Sequence, residues 1–330
     1  MPVITVPRAA ELLLDSAIIA FPTETVYGLG AIASDQKAVD QIYIAKSRPR
    51  DNPLICHFAD IDHILAYVNF PNQYVYELLQ KFGPGPISLL LPIKESAKTI
   101  LQPALSGSNN IVCRIPNNSL TLGLIKLIGL PLAGPSANIS GRPSSTSASM
   151  VLDQLGDRIA GVIDGGDCQI GLESTILDCT QPDKVTILRP GSIGDLELTE
   201  FLFDLGIQIQ SFDNKYGSNL TIPGNKYPHY SPITPIKHIQ DLDEIPVVNQ
   251  KVLILAAQET LEKIGKINDI GFKLQIINLG SKFILSDVAH NLYSNLSLVD
   301  DFGLDIAYLI DEDWGDQSIG KAISNRLCKV

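Results

Sequence analysis

The sequence is poor in the residues that cross-link or metallate a fold. Its five cysteines (Cys56, Cys113, Cys168, Cys179 and Cys328) are odd in number and form no C-x-x-C pair. That argues against a disulfide framework or a zinc site, and for reduced, mostly buried thiols. No run of about 18 apolar residues occurs, so no membrane span is expected. The start, "MPVITVPRAAELL", lacks the basic-then-apolar layout of a secretory signal. A cytoplasmic protein is the expectation. Positive charge is short as well: 25 Lys and Arg face 36 Asp and Glu, for a net charge of −11. This argues against charge-driven nucleic-acid binding by the whole chain, and leaves room for a local basic cleft. G-x-S-x-G, H-E-x-x-H and G-x-x-x-x-G-K-[ST] are all missing, which removes the usual hydrolase, zinc-protease and P-loop readings.

What is present is globular: 45% hydrophobic and 18% charged residues over 330 positions, a length that suggests about two domains. Residues 1–207 carry frequent strand-like runs, "SAIIAFP", "PLICHFA", "ISLLLPI", "NIVCRIP", "PLAGPSA", "GVIDGG", "STILDCT" and "VTILRPG". Helical patterns are fewer, at "DQKAVDQIYIAKS", "NQYVYELLQKFG" and "SLTLGLIKLIG". A mixed-sheet α/β domain follows from this texture, with polar residues at its strand ends. Residues 208–235 read as a linker, rich in Pro, Tyr and Asn, whose "KYPHY" suits docking onto something. Residues 236–330 alternate strands ("KVLILAA", "LQIINLG", "DIAYLID") with helices, the pattern of a small parallel sheet. One helix opens at Ser286 as N-cap and closes at Gly303, and the last places Ile319, Ile323 and Leu327 on one face. No G-x-G-x-x-G follows "KVLILAA", so this domain reads as a closing or regulatory module.

Several polar stretches exceed what turns require. "FPTETVYGLG" (residues 21–30) runs from a strand through Pro-Thr-Glu-Thr to two glycines. "IAKSRPRDNPLICH" packs Lys46, Arg48 and Arg50 beside two prolines, a point charge and planar forks suited to a polyphosphate. His57 ends its apolar run. "PLAGPSANISGRPSSTSA" offers Ser136, Asn138, Ser140, Ser144, Ser145 and Thr146 among glycines and prolines, where amides and hydroxyls can hold phosphate oxygens. "RIP" and "LRPG" set Arg114 and Arg189 at strand ends, and "GLESTILD" puts Ser174 and Thr175 before another strand. A phosphate-borne Mg2+ would need few protein ligands.

In this order, "FPTETVYGLG", "KSRPRDNPL", "GPGPISLLL", "CRIP", "PSANISGRPSSTS", "DGG", "ESTILD" and "ILRPGSI" resemble the threonylcarbamoyl-AMP synthase family in its two-domain form. "PGNKYPHYSP" and "IGKAISNRL" extend the resemblance over nearly the whole chain. It implies a twisted mixed-sheet YrdC-like domain, a lid-like linker and a smaller Rossmann-like parallel domain. It implies synthesis of threonylcarbamoyl-adenylate and pyrophosphate from L-threonine, bicarbonate or carbon dioxide, and ATP with Mg2+. A separate transferase complex then modifies an adenosine of tRNA. By the same resemblance Thr25, His57, Arg114, Ser174 and the backbone at Gly134 bind threonine. Lys46, Arg48, Asn52, Asn110, Ser136, Asn138, Ser144 and Arg189 hold ATP, and Tyr230 lies over the nucleotide. Lys46, Arg48 and Arg189 supply the charge stabilisation. Departures are Ser88 for the usual Thr, Asn225 and Pro228 for the usual Met and Arg, and Gly134 for a small residue such as Ala, a change of little weight if only backbone is used. The alternative is an RNA-binding module with a weak tRNA contact, its basic face built from Lys46, Arg48, Arg50, Arg114, Arg142 and Arg189. The related hydrogenase-maturation proteins carry zinc-finger cysteine pairs, which are missing here.

Overall fold

The apolar runs pair into two sheets. The computed structural model describes residues 2–211, 229–245, 251–264, 273–315 and 318–330. The first sheet holds β1 (Ile19–Phe21), β2 (Gly28–Ile32), β3 (Ile55–His57), β4 (Ile87–Pro92), β5 (Asn110–Arg114), β6 (Leu132–Gly134), β7 (Thr175–Asp178), β8 (Lys184–Arg189) and β9 (Gln208–Gln210). Their order is β1-β2-β6-β3-β5-β4-β7-β8-β9. Parallel pairs (β3 with β5, β4 with β7, β8 with β9) sit among antiparallel ones, so the sheet is mixed. "GVIDGG" is an exception to the expected strands. Val162 makes only isolated bridges to Val3 and Ala20, because the chain turns away at once through Gly166, whose φ is +75°. At the other end, β9 carries the large sheet three residues into the stretch that reads as linker.

Helices form at Gln36–Lys46, Tyr74–Phe82 and Ser119–Ile128, where the periodicity places them. Asp35 caps the first by accepting from the Ala38 amide, and Asn118 caps the third. The helices Val6–Leu14, Glu95–Leu105 and Ala148–Leu155 escape the sequence pattern for local reasons. The first opens on a proline, the second contains Pro103, and the third grows out of a Ser-rich loop from the Ser147 cap.

Strand alternation splits the large sheet into two faces. Cys56, Cys113, Leu89, Leu177 and Ile187 point into the main core under the helices. The opposite face carries a small apolar patch of Ile55, Leu90, Val112, Ile176 and Leu188, with His57 and Arg114 at one end of it, side by side across β3 and β5.

The second sheet holds β10 (Ile236–Ile239), β11 (Lys251–Ala256), β12 (Lys273–Asn278) and β13 (Ala307–Ile310), ordered β10-β13-β11-β12 and parallel throughout. The helix Leu285–Leu298 starts one residue before Ser286, with Ile284 in the cap position, so Ser286 is not its N-cap. Its hydroxyl turns to the Asp287 carboxylate instead. After a 3-10 turn the segment stops at Gly303, φ +60°. This helix and Ser318–Leu327 bury Val288, Leu292, Leu296, Ala322, Ile323 and Leu327 against β11 and β13. The same cluster takes in Val26, Leu172 and Tyr230, so the second domain packs over the first. Gly171 marks the tightest approach. Its φ is +80°, and a Cβ there would lie 2.5 Å from the backbone oxygens of Ala289 and His290. Among the described residues no helix is long and apolar enough to cross a membrane.

Candidate active site

"FPTETVYGLG" is the tip of the β1–β2 hairpin, with Phe21 paired to Gly28. A Cβ at Gly28 or Gly30 would come within 2.4 or 2.6 Å of the Phe21 ring. The two glycines therefore make room for that ring, and Gly28 also forms part of a cavity wall. Inside the loop the Thr23 hydroxyl donates to the Val26 carbonyl (2.6 Å) and accepts from the amides of Thr25 and Val26. Its proton is thus committed, and at 2.9 Å the Thr25 hydroxyl is the donor to it. Thr23 faces the cavity, and Thr25 is wholly buried behind it. Glu24 points the other way along the loop. One carboxylate oxygen lies 2.9 Å from Arg114 Nη2, and the other accepts from the Asn117 amide at 3.0 Å.

That contact fixes one end of the cavity. Arg114 Nε reaches the Gly85 carbonyl (3.4 Å), and both Arg114 and Glu24 are almost fully buried. His57 stands beside it. Burial, with help from the Arg114 charge, brings its pKa down to about 3, so the ring is neutral at pH 7. Among the described residues its Nδ1 has no hydrogen-bond partner, a polar atom open to a ligand. Gly134 forms the adjoining wall. A Cβ on it would lie 2.7 Å from the Leu29 carbonyl oxygen. The glycine therefore matters here even though only its backbone faces the site, contrary to the expectation that the change carries little weight.

The other end is cationic. Lys46 closes its helix and is 1% exposed. Its ammonium donates to the carbonyls of Ser136 (2.6 Å) and Asn138 and to Asn138 Oδ1 (3.3 Å), all uncharged acceptors. Burial first, then the nearby Arg48, holds its pKa well below the usual lysine value. A buried ammonium among neutral acceptors gains most from an arriving anion. Arg48 is braced by the carbonyls of Asn52 (3.2 Å) and Pro53 (3.1 Å). Ser136 donates to Asn138 Oδ1 at 2.5 Å. Arg189 stacks two donors on the Ser174 carbonyl (3.1 and 2.9 Å) and a third contact on its hydroxyl, which also meets Ser88 at 2.7 Å.

These groups surround one tight cavity of about 60 Å3. Arg48, His57, Arg114, Gly134, Ser136, Asn138, Ser144, Arg189 and Tyr230 all line it. Lys46, Thr25, Asn52 and Ser174 sit directly behind the wall and brace residues that form it. Asn110 opens β5 four residues before Arg114, about 13 Å along the strand. It pairs with Pro92 of β4 and is not part of the wall. Of the linker, His229 and Tyr230 reach the cavity, while Asn225 and Pro228 lie outside the described residues.

Glu173 is a charged wall residue that the sequence motifs do not single out. Its carboxylate takes the Ser144 hydroxyl (2.6 Å), the Tyr293 hydroxyl (2.6 Å) and Arg326 Nε (3.0 Å). Burial alone would raise its pKa, but Arg326 and Arg189 outweigh that and set it at about 2. Tyr293 and Arg326 come from the second domain. Arg326 was legible as an anomaly: in "SIGKAISNRL" it shares a helix face with Ile319, Ala322 and Ile323, a charge inside an apolar stripe.

A mixed sheet with a cavity cationic at one end and Arg-His at the other, roofed by a small parallel domain, defines a two-domain protein of the YrdC-like class. Two family models match the chain. One, described as telomere recombination and named for Sua5, YciO and YrdC, covers residues 11–191; the other, described as threonylcarbamoyl-AMP synthase, C-terminal domain, covers 196–330. The threonylcarbamoyl-AMP synthase of Bacillus subtilis is 38% identical over 98% of this chain and 92% of its own length. That of Pyrococcus abyssi is 35% identical over the same shares. A crystal structure of P. abyssi Sua5 complexed with L-threonine matches with a TM-score of 0.79 and 31% identity, covering 98% of this chain and 93% of that one. The chain belongs to the threonylcarbamoyl-AMP synthase family.

Proposed function

We propose that this protein makes threonylcarbamoyl-adenylate from L-threonine, bicarbonate or carbon dioxide, and ATP, releasing pyrophosphate. The observation that carries the reading is a single cavity with two chemically distinct ends. Arg114, pinned by Glu24, and neutral His57 suit an amino acid's carboxylate and polar groups. Lys46, Arg48 and Arg189 suit a triphosphate. The relative solved with L-threonine supports threonine as the amino acid. Thr25 and Ser174 act from behind through Thr23 and Arg189, and the Gly134 backbone shapes the wall. Asn52, Ser136, Asn138 and Ser144 serve the nucleotide, with Tyr230 over it, and Asn110, outside the wall, would meet it only beyond the cavity.

The chemistry needs no protein nucleophile. The threonine amine adds to carbon dioxide to give a carbamate and a proton. A carbamate oxygen then attacks the α-phosphorus of ATP, the bond to the β-phosphate oxygen breaks, and pyrophosphate leaves. The chain's share is orientation, and cationic stabilisation of charge developing on the phosphates. The carbamate and the mixed anhydride both hydrolyse, so a roof that excludes water is valuable. In this reading residues 1–207 carry the chemistry, 208–235 serve as lid and 236–330 close over it.

Glu173 is the sole carboxylate on the cavity wall among the described residues, and three donors already occupy it. No group of three or more His, Cys, Asp or Glu gathers for a metal among those residues. The wall therefore suits Mg2+ that arrives on the triphosphate, held by phosphate oxygens and water, and not a resident metal. The product would pass to a separate tRNA-modifying transferase in the cytoplasm.

The RNA-module alternative is the less favoured reading. Arg50 pairs with Asp40, Arg142 with Asp300 (2.6 Å) and Arg114 with Glu24, so half of the proposed basic face is neutralised among the described residues. The deciding experiment measures pyrophosphate release from ATP and bicarbonate across a panel of amino acids. Threonine-dependent release supports the proposal, and release that ignores the amino acid, or tight tRNA binding without ATP binding, refutes it.

A further inference from the structure

The nucleotide end of the cavity is completed by the second domain. Arg326 is wholly buried. Its Nε bonds Glu173, its Nη1 bonds the Pro190 carbonyl (2.9 Å), and its guanidinium lies 5.8 Å from the Tyr230 ring centroid. Tyr293 bonds the same carboxylate oxygen of Glu173 and stacks on Tyr230 at 5.2 Å. Tyr230 itself has a φ of +70°, a strained backbone for a residue with a side chain. Its two second-domain neighbours hold it there. A buried carboxylate with one partner removed is expensive, so Arg326 and Tyr293 together keep Glu173 charged and in place.

The other oxygen of Glu173 has a chemical consequence. A hydroxyl has one proton, and Ser144 gives it to Glu173 at 2.6 Å. What Ser144 turns to the cavity is lone pairs, which repel a phosphate oxygen and attract a donor. We infer that Arg326 and Tyr293 are positioning residues for nucleotide recognition: by fixing Glu173 they set Ser144 as an acceptor for a hydroxyl or amino group of the nucleoside. The inference rests on the proposed ATP-dependent function, and narrows Ser144 from a general ATP contact to a nucleoside one. Candidate donors on ATP are the two ribose hydroxyls and the adenine amino group.

The test is calorimetric binding to the full chain of ATP, 2′-deoxy-ATP, 3′-deoxy-ATP, the triphosphate of purine riboside, which lacks the amino group, and inorganic tripolyphosphate. The wild type should bind one analogue roughly three- to tenfold more weakly than ATP, the range for one hydrogen bond. The analogue that loses affinity names the donor. Ser144→Ala should abolish that ratio and leave tripolyphosphate affinity unchanged. The Tyr293→Phe/Arg326→Lys double variant should shrink the same ratio. If Arg326 and Tyr293 are only structural, that variant lowers the melting temperature and leaves the ratio intact, which overturns the positioning role. Equal binding of ATP and all three analogues by the wild type, or a tripolyphosphate loss in Ser144→Ala as large as the ATP loss, overturns the acceptor role. Wild-type ATP binding without threonine-dependent pyrophosphate release would refute the proposed function instead, and the analogue ratios would still judge this inference.

Discussion

Protonating His57 should destabilise this protein. The ring is 4% exposed, stands beside the Arg114 guanidinium, and has its pKa depressed by burial and that charge to about 3. The unfolded chain binds the proton near pH 6.5. Between those values the unfolded state holds more protons than the folded one, so stability rises with pH across the window. The contribution is complete somewhat above pH 6.5 and falls away as the pH drops toward 3. At 1.36 kcal/mol per pKa unit, His57 alone costs about 2 kcal/mol by pH 5. His229, held at about 4 mainly by burial and then by Arg48 and Lys329, acts in the same direction. Urea midpoints of the ligand-free protein at pH 7.5, 6.5, 5.5 and 5.0 stay above most carboxylate titration. The stability of His57→Asn should fall less steeply than wild type, by about 1 kcal/mol per pH unit between 6.5 and 5. Parallel curves for the two proteins would refute the account of His57 as a buried neutral ring.

Four further outcomes follow from the same geometry. Arg48→Ala should lower threonine-dependent pyrophosphate release about 100-fold or more, and near-normal release would remove Arg48 from the phosphate site. Arg114→Gln should raise the KM for threonine roughly 10- to 100-fold, as loss of a charge-assisted contact does; an equal rise in KM for ATP would count against the division of the cavity. Gly134→Ala should destabilise the fold by about 1–3 kcal/mol, because its Cβ meets the Leu29 carbonyl, and an unchanged denaturation midpoint would show that the wall yields freely. Burial pushes the Cys56 and Cys168 thiols up to about 12 and raises those of Cys113 and Cys179, while Cys328 is exposed. Ellman titration of the native protein should therefore report one fast thiol, and a second would mean an open core.

Local rules made much of this legible. The runs that became β3, β4, β5, β7 and β8 are continuous apolar stretches, as strands packed on both faces require. The strand-end placement of Arg114 and Arg189 was readable from "RIP" and "LRPG" alone. What escaped was set by partners distant in the chain. Glu173 looks like one polar letter in "GLEST" until Arg326, 153 residues away, bonds it. Thr23 and Thr25 are indistinguishable in sequence, and a loop hydrogen bond to Val26 decides which one faces the cavity. Ser286 satisfies every rule for an N-cap and is not one, because the helix gains a turn position at Leu285 by packing.

Gly171 has a mechanical consequence. Main chain meets main chain there at a spacing that leaves no room for one carbon. The gap between roof and cavity is thus gauged at a single point by a hydrogen atom. A methyl group at that point would act as a shim of known thickness, prying the seam apart without altering any charge. It offers a way to ask how far the roof can lift before water enters, in a chain otherwise left intact.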